Sequence, residues 1–181
     1  MEKRNVLFVM SSLRNGGAER SLVNLLQLLD YDRYNVDLLL FQNEGMFLKQ
    51  VPKAVNIISN CNKLYTLYDN NKAEALKHPY LSAIHMIGTF ISRKKTNSVA
   101  KSRQYRWEHF YKKIVPELTK EYDVAIAYMQ REQTYFLVDK VKAAKKIAWV
   151  HNEYSQLGHF KEMDLEYFEK VDKVVTISDL C

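Results

Sequence analysis

Two adjacent glycines are the first residues of this chain whose type and position suggest chemistry. Gly16 and Gly17 follow a short apolar run and precede a segment with helical spacing of apolar residues. The free backbone N–H groups and the dipole of a helix N-terminus favour an anion or a sugar oxygen there. The loop matches neither the GxGxxG pattern nor the P-loop pattern. On spacing alone the two glycines could equally form only a turn.

Polar side chains also follow two later apolar runs. Gln130 and Arg131 come soon after residues 123–128, and His151 and Asn152 come directly after residues 146–150. A lone histidine is usually a hydrogen-bonded structural residue, but a histidine at the end of a buried strand favours ligand binding. Both clusters therefore suit a ligand.

Other chemical patterns are weaker. Asp30-Tyr31-Asp32 spells the DxD pattern that can hold Mn²⁺ or Mg²⁺, but it closes the first predicted helix, where a turn is expected. Ser178 begins a further segment and favours a helix cap over a ligand. The sequence contains no zinc-ligand cluster and no GxSxG nucleophile elbow. We therefore predict no metal site.

The positive charge of the chain is concentrated in residues 93–113, which we call the basic segment. The whole chain has a net charge of +6, whereas this segment has eight basic residues against Glu108 and is +7, which leaves the rest at −1. The segment also holds four aromatic residues. Its basic residues are Arg93, Lys94, Lys95, Lys101, Arg103, Arg106, Lys112 and Lys113.

Three interpretations of the basic segment stay open. Its cations could hold anionic lipid headgroups with the aromatic rings at the interface, or they could follow a nucleic-acid backbone. It could also be the solvated face of a helix whose aromatic side chains pack inward. No RNA-binding signature or zinc module accompanies it, so we expect no nucleic-acid partner.

The composition indicates an ordinary globular domain. Of 181 residues, 47% are apolar and 27% are charged, which excludes a disordered or fibrous chain. Cys61 and Cys181 are far apart, so neither a disulfide framework nor a CxxC metal pair can be written. No stretch approaches the roughly 20 apolar residues that span a bilayer. We expect a cytoplasmic protein whose membrane contact, if any, is peripheral.

Alternation of apolar runs with helical segments predicts an α/β fold. Helices are expected at residues 18–29, 133–141 and 160–170, and residues 73–121 read as helical with breaks near Pro79 and at 96–98. The predicted strands are residues 5–10, 35–41, 55–58, 123–128, 146–150 and 173–177. The expected fold is a Rossmann-like, doubly wound parallel sheet flanked by helices, with ligands at the carboxyl ends of the strands.

Five motifs, taken in order along the chain, resemble the N-terminal domain of family 4 glycosyltransferases. Their residues are 5–9, 16–26, 122–128, 146–152 and 172–178. The resemblance covers nearly the whole chain except residues 60–119. It implies the GT-B fold of two facing Rossmann-like domains, in which residues 1–181 form a single acceptor-side domain.

This resemblance also implies an activity and a set of site residues. The family consists of metal-independent, retaining enzymes that move a sugar from a nucleotide-sugar donor to a saccharide or lipid-linked acceptor, often in cell-surface polysaccharide synthesis. No cofactor is implied beyond the donor substrate. Gly16 and Gly17 would approach the donor diphosphate, and His151 would contact the transferred sugar as the catalytic residue. The implied acceptor-side residues are Glu19, Arg20, Gln130, Arg131 and Asn152.

Peripheral members of the family resemble one another in having a membrane-docking surface beside the acceptor site. The basic segment falls in the corresponding variable helical part of this chain. By this resemblance its eight basic residues, together with Trp107, would contact an anionic membrane surface at the inner face of the cell membrane.

The donor half of such an enzyme is not seen in these 181 residues. The family's E-x7-E carboxylate pair lies in its C-terminal domain, and here no Glu is followed by another eight positions later. We therefore expect a fragment that lacks the donor-binding domain and is inactive alone. The alternatives are half of a sugar-nucleotide epimerase with the same architecture, or a stand-alone peripheral-membrane or saccharide-binding module.

Overall fold

The strands of the protein form one parallel sheet. The computed structural model describes residues 2–58, 62–68, 76–151, 158 and 160–177. The strands are β1 (Arg4–Met10), β2 (Tyr34–Leu40), β3 (Asn56–Ile58), β4 (Glu121–Ala127), β5 (Lys142–Val150) and β6 (Lys173–Thr176). All pair in parallel in the order β3-β2-β1-β4-β5-β6, which reverses direction between β1 and β4. This is the topology of a Rossmann-like doubly wound sheet, so the predicted fold class is confirmed.

Helices connect these strands. They are α1 (Gly17–Leu28), α2 (Asn62–Tyr68), α3 (Pro79–Lys95), α4 (Val99–Arg106), α5 (Glu132–Lys140) and α6 (Lys161–Phe168). A π-helical turn, Trp107–Tyr111, and a last helical turn, Lys112–Ile114, continue α4. In the part of the chain that the structure describes, no helix is long and apolar enough to cross a membrane.

The central strands bury side chains on both faces, which is why their sequences are nearly all apolar. On one face Val6 and Phe8 of β1 pack with Leu22 and Leu26 of α1. Successive strand residues point to opposite faces, so Leu7 belongs to the second core. That second core is the aromatic one, and its largest buried side chains are Trp107, Tyr111, Tyr135, Tyr167, Phe41 and Phe136.

A buried polar network joins α4 to α5 and α6 within the second core. Gln104 Nε2 donates to Tyr135 Oη at 2.8 Å and to Asp164 Oδ1 at 3.1 Å. Gln104 Oε1 also accepts from the backbone N–H of Phe160 at 2.6 Å. These hydrogen bonds fix the position of α4, which carries part of the basic segment.

The helical interpretation of residues 73–121 is correct in its breaks and wrong at its end. Pro79 begins α3, and α3 and α4 are separated at residues 96–98. Helix ends at Ile114, because Val115 precedes Pro116 and takes an extended conformation. The DxD pattern forms a turn, in which the backbone N–H of Asp32 donates to Asp30 Oδ1 at 3.0 Å.

Candidate functional site

The candidate site lies at the carboxyl edge of the sheet, where β1 and β4 are neighbours and the strand order reverses. The loop after β1 is held there by the loop after β2. The backbone N–H of Leu13 donates to the Glu44 carbonyl at 2.9 Å. Gly45 has a φ of 129°, and a Cβ at this position would lie 1.9 Å from the Leu13 carbonyl carbon. Glycine is therefore required at Gly45 to support the loop that leads into α1.

The two predicted glycines form the N-terminus of α1. Gly16 is the N-cap in an extended conformation, with no side-chain cap. Apart from the adjoining residues and the backbone of α1, no described heavy atom lies within 4 Å of where a Cβ on Gly17 would be. The Glu19 carboxylate folds over Gly16, since a Cβ there would lie 2.1 Å from Glu19 Oε2. A carboxylate at this point accepts hydrogen bonds from hydroxyl groups and repels an anion.

His151 follows β5 directly and is half-buried among aromatic rings. Its ring centroid is 4.9 Å from that of Tyr128 and 5.5 Å from that of Trp149. Its backbone N–H donates to Gln130 Oε1 at 3.3 Å. Burial lowers the pKa of His151, and the Glu19 carboxylate offsets part of that effect. The imidazole is therefore neutral near pH 7.

This site contains two buried side-chain nitrogen atoms that call for an explanation. His151 Nε2 and Gln130 Nε2 have no hydrogen-bond partner among the described residues. Buried polar atoms are normally paired, so such atoms need an explanation. A ligand that brings hydrogen-bonding oxygens to the carboxyl edge would supply the missing partners.

Sequence reasoning missed the aromatic residues that support His151. Tyr128 is buried, stacks on Trp149 with 4.9 Å between ring centroids, and shares a hydrogen bond of 2.9 Å with Ser21 of α1. Both rings fall inside or just after predicted strands. Because both residues fit the apolar pattern of a strand, no local pattern indicated that they also orient the His151 imidazole.

Arg131 and Glu132 form a second polar group at the end of β4. Arg131 has a φ of 71°, a conformation that non-glycine residues rarely adopt and that clusters at functional sites. Glu132 is fully buried and pairs with Arg103 of α4, and its Oε2 is 3.8 Å from Arg131 Nε. Burial alone would raise the pKa of Glu132, but the two guanidinium groups outweigh it and lower that pKa. The charged carboxylate thus connects α4 to α5.

The predicted site residues are only partly brought together. His151 interacts with Gln130 through its backbone hydrogen bond and with Glu19 through the carboxylate charge. Arg131 instead interacts with Glu132. Arg20 is exposed on α1. Asn152 and Ser178 lie outside the described residues.

The placement of Trp107 on a membrane surface is wrong. Its side chain is fully buried, and its Nε1 donates to Asp139 Oδ2 at 3.0 Å. Trp107 and Tyr111 begin and end the π-helical turn and both face the second core. This matches the inward-packing interpretation for these two rings.

The basic residues of the segment do not share one surface. Lys94 Nζ lies 4.4 Å from the ring centroid of Phe90, and Lys112 Nζ lies 3.5 Å from Asp139 Oδ1. Lys95 and Lys113 are exposed, and Lys101 is half-buried. The other three, all arginines, line a cavity at the carboxyl edge, together with an arginine that the sequence analysis did not single out. The four are Arg14, Arg93, Arg103 and Arg106.

Within the described residues, no group of three or more His, Cys, Asp or Glu side chains is arranged to hold a metal ion. Comparison of the chain with protein-family models, curated proteins and solved structures gives no match.

Proposed function

We propose that this chain is the acceptor-side domain of a retaining glycosyltransferase. The enzyme would move a sugar from a nucleotide-sugar donor to a saccharide or lipid-linked acceptor in cell-surface polysaccharide synthesis. The observation that carries the proposal is the buried Nε2 of His151, which has no hydrogen-bond partner among the described residues and lies at the carboxyl edge of the sheet, beside Gln130. Doubly wound sheets bind their ligands at this edge.

The proposed role of His151 is to hold the transferred sugar. Positive charge develops at the anomeric carbon in the transition state of glycosyl transfer. A neutral imidazole can hydrogen-bond a sugar hydroxyl without adding a cation beside that carbon. Burial keeps the pKa of His151 low, and the stacked rings of Tyr128 and Trp149 hold its plane. Gln130 and Glu19 would bind further hydroxyl groups.

The departing nucleotide diphosphate needs hydrogen-bond donors that this chain supplies only in part. The N-terminus of α1 offers backbone N–H groups, but the Glu19 carboxylate lies over Gly16. Under the proposal, a facing domain of the parent protein binds the donor and completes the cleft. The 181-residue chain alone is then expected to show no glycosyl transfer.

A lipid-linked acceptor would bring the domain to the cytoplasmic face of the cell membrane, and α3 offers a surface for that contact. This helix exposes large apolar side chains and ends in three basic residues. The apolar residues are Tyr80, Met86, Ile87 and Phe90, and the basic ones are Arg93, Lys94 and Lys95.

The test is a His151→Ala substitution in the full-length parent protein. We expect transfer to fall by about 100-fold or more, because a preorganised hydrogen-bonding group in an active site contributes about that much. The measurement is turnover of nucleotide-sugar donors, with circular dichroism to verify folding. Exposed His109 provides the matched control, since His109→Ala removes an imidazole away from the site. Wild-type turnover in His151→Ala would remove His151 from the mechanism.

A further inference from the structure

Four arginines surround a cavity that has no part in the role proposed for His151. The cavity has a volume of about 350 Å³ and lies between the loops after β1 and β2 and the helices α3 and α4. Arg14 comes from the first loop, Arg93 from α3, and Arg103 and Arg106 from α4. None of the residues assigned to the His151 site lines it. We call this cavity the arginine cleft.

The described carboxylates neutralise only part of the positive charge of the arginine cleft. The described residues that line it include no carboxylate. From outside the lining, Glu44 pairs with Arg14 and Glu132 pairs with Arg103. In the described part of the chain, Arg93 and Arg106 have no carboxylate partner. Within the described residues, the cleft therefore has two guanidinium groups without a carboxylate partner.

Arg106 also has a donor with no acceptor. Its Nη1 donates to Thr89 Oγ1 at 3.1 Å, but its Nε is buried and has no hydrogen-bond partner among the described residues. A buried charged donor without an acceptor is costly. A ligand oxygen that reaches this guanidinium would remove that cost.

The neighbouring histidine responds to this positive environment. His85 lines the cleft, and its Nδ1 is 2.9 Å from both the Leu67 carbonyl and Tyr111 Oη. Burial and then the Arg106 cation lower the pKa of His85. His85 is therefore neutral near pH 7 and adds a polar group without a charge.

We propose that the arginine cleft binds a phosphoryl group with two or more negative charges, which is a phosphate monoester or a diphosphate. Guanidinium groups match phosphate oxygens through two parallel hydrogen bonds. Ser11, Gln42 and Thr89 add polar side chains to the lining. A singly charged carboxylate would leave part of the cleft's charge uncompensated.

The group that bears the phosphate can be a lipid or a soluble molecule. A second, open cavity shares His85, Thr89 and Arg93 with the cleft and adds the exposed side chains of Met86 and Phe90. A hydrocarbon chain attached to a bound phosphate would lie against these two side chains. That the bound phosphate belongs to a lipid-linked acceptor rests on the proposed function. Phosphate binding by the arginine cleft does not depend on that function.

The first experiment titrates inorganic pyrophosphate into the 181-residue chain at low ionic strength. Binding is followed through the NMR signals of the His85 ring. We expect saturable binding that weakens roughly tenfold or more in the Arg93→Gln/Arg106→Gln double variant, because hydrogen bonds to charged groups contribute that much. The control is Lys142→Gln/Lys173→Gln, which removes the same charge from exposed positions at the starts of β5 and β6, outside the cleft. Its affinity should stay within about twofold of wild type, since exposed charges at a distance are screened.

The second experiment distinguishes the source of the phosphate. It measures sedimentation with phosphatidylcholine vesicles that contain phosphatidic acid or phosphatidylserine. A preference for phosphatidic acid that needs Arg93 and Arg106 supports the proposal and identifies a lipid headgroup, even without pyrophosphate binding. Pyrophosphate binding without that preference supports it and identifies a soluble phosphate.

Two results would overturn the proposal. One is the absence of binding to both pyrophosphate and phosphatidic acid. The other is an equal loss in the arginine and lysine variants, since general surface charge would then explain the binding. The His151 test uses a different variant and a transfer readout, so either idea can fail while the other stands.

Discussion

At the scale of single residues, the His151 site depends on an electrostatic balance between burial and one carboxylate. Burial lowers the pKa of the imidazole, and Glu19 raises it by a smaller amount. The balance keeps the ring neutral, which suits hydrogen bonding to a hydroxyl group. Because Glu19 belongs to α1 and His151 follows β5, the pKa of His151 reports on how these two elements are placed, and it can be measured without an activity assay.

We predict that Glu19→Gln lowers the pKa of His151 further, because it removes the charge that favours the imidazolium form. The measurement is an NMR titration of the His151 ring in both chains. Arg20→Gln, which alters the adjacent exposed residue, should not lower that pKa. An unchanged value in Glu19→Gln would mean that its carboxylate does not act on the ring.

At the scale of elements, the site is supported by loops and helix contacts rather than by the strands alone. Gly45 lets the loop after β2 approach Leu13 and so holds the loop before α1. Gly88 lies at the contact between α3 and α4, where a Cβ would be 3.4 Å from the Phe110 ring, an ordinary contact distance. The backbone at position 45 therefore requires glycine, whereas position 88 has room for an alanine side chain.

We predict that Gly45→Ala lowers the free energy of unfolding by about 2 kcal/mol or more, because a positive φ and a backbone clash both oppose a side chain there. Gly88→Ala serves as the comparison. It should be neutral or stabilising by up to about 1 kcal/mol, since alanine has a higher helix propensity than glycine. Urea denaturation of both variants gives the values. A larger loss for Gly88→Ala than for Gly45→Ala would contradict this account.

At the scale of the whole molecule, two buried carboxylates link distant parts of the fold. Asp37 of β2 accepts from Asn56 of β3, Lys120 and Tyr122 at 2.8, 2.9 and 2.8 Å. Burial alone would raise the pKa of Asp37, but these hydrogen bonds and the Lys120 charge outweigh it and lower that pKa. Glu132 is likewise held charged between α4 and α5.

Acid should therefore destabilise the fold in two stages. His85 and His151 have lowered pKa values, so their neutral forms stabilise the native state above about pH 6.5, and this contribution is lost as the pH falls. The lowered pKa values of Asp37 and Glu132 mean that their contribution is complete above about pH 5 and is lost below it. Urea denaturation from pH 7 to pH 3.5 measures both stages.

The decline in the free energy of unfolding below pH 5 should be shallower in Glu132→Gln, because a glutamine at that position cannot titrate. A free energy of unfolding that stays constant between pH 5 and pH 3.5 in the wild-type chain would contradict this origin of acid sensitivity.

The sequence by itself determined the order of the six strands and the helices that follow β1, β4 and β5, but it left residues 62–68, which form α2, ambiguous. The strand runs are apolar because both faces of the central sheet are covered, so local patterns were sufficient to find them. The same patterns predicted that Gly16, Gly17 and His151 stand at strand ends. They were wrong about the extent of the helix before Pro116.

Only the tertiary structure decided which side chains meet. Arg14 is far in sequence from Arg103 and Arg106, so no local pattern could join them in one cleft. The sequence shows the positive charge of the basic segment, but the direction of each of its side chains depends on how α4 is rotated against the sheet. That rotation buries Trp107 and directs two arginines to the cavity. Contacts between distant residues arise from packing of the folded chain, and composition and spacing do not record them.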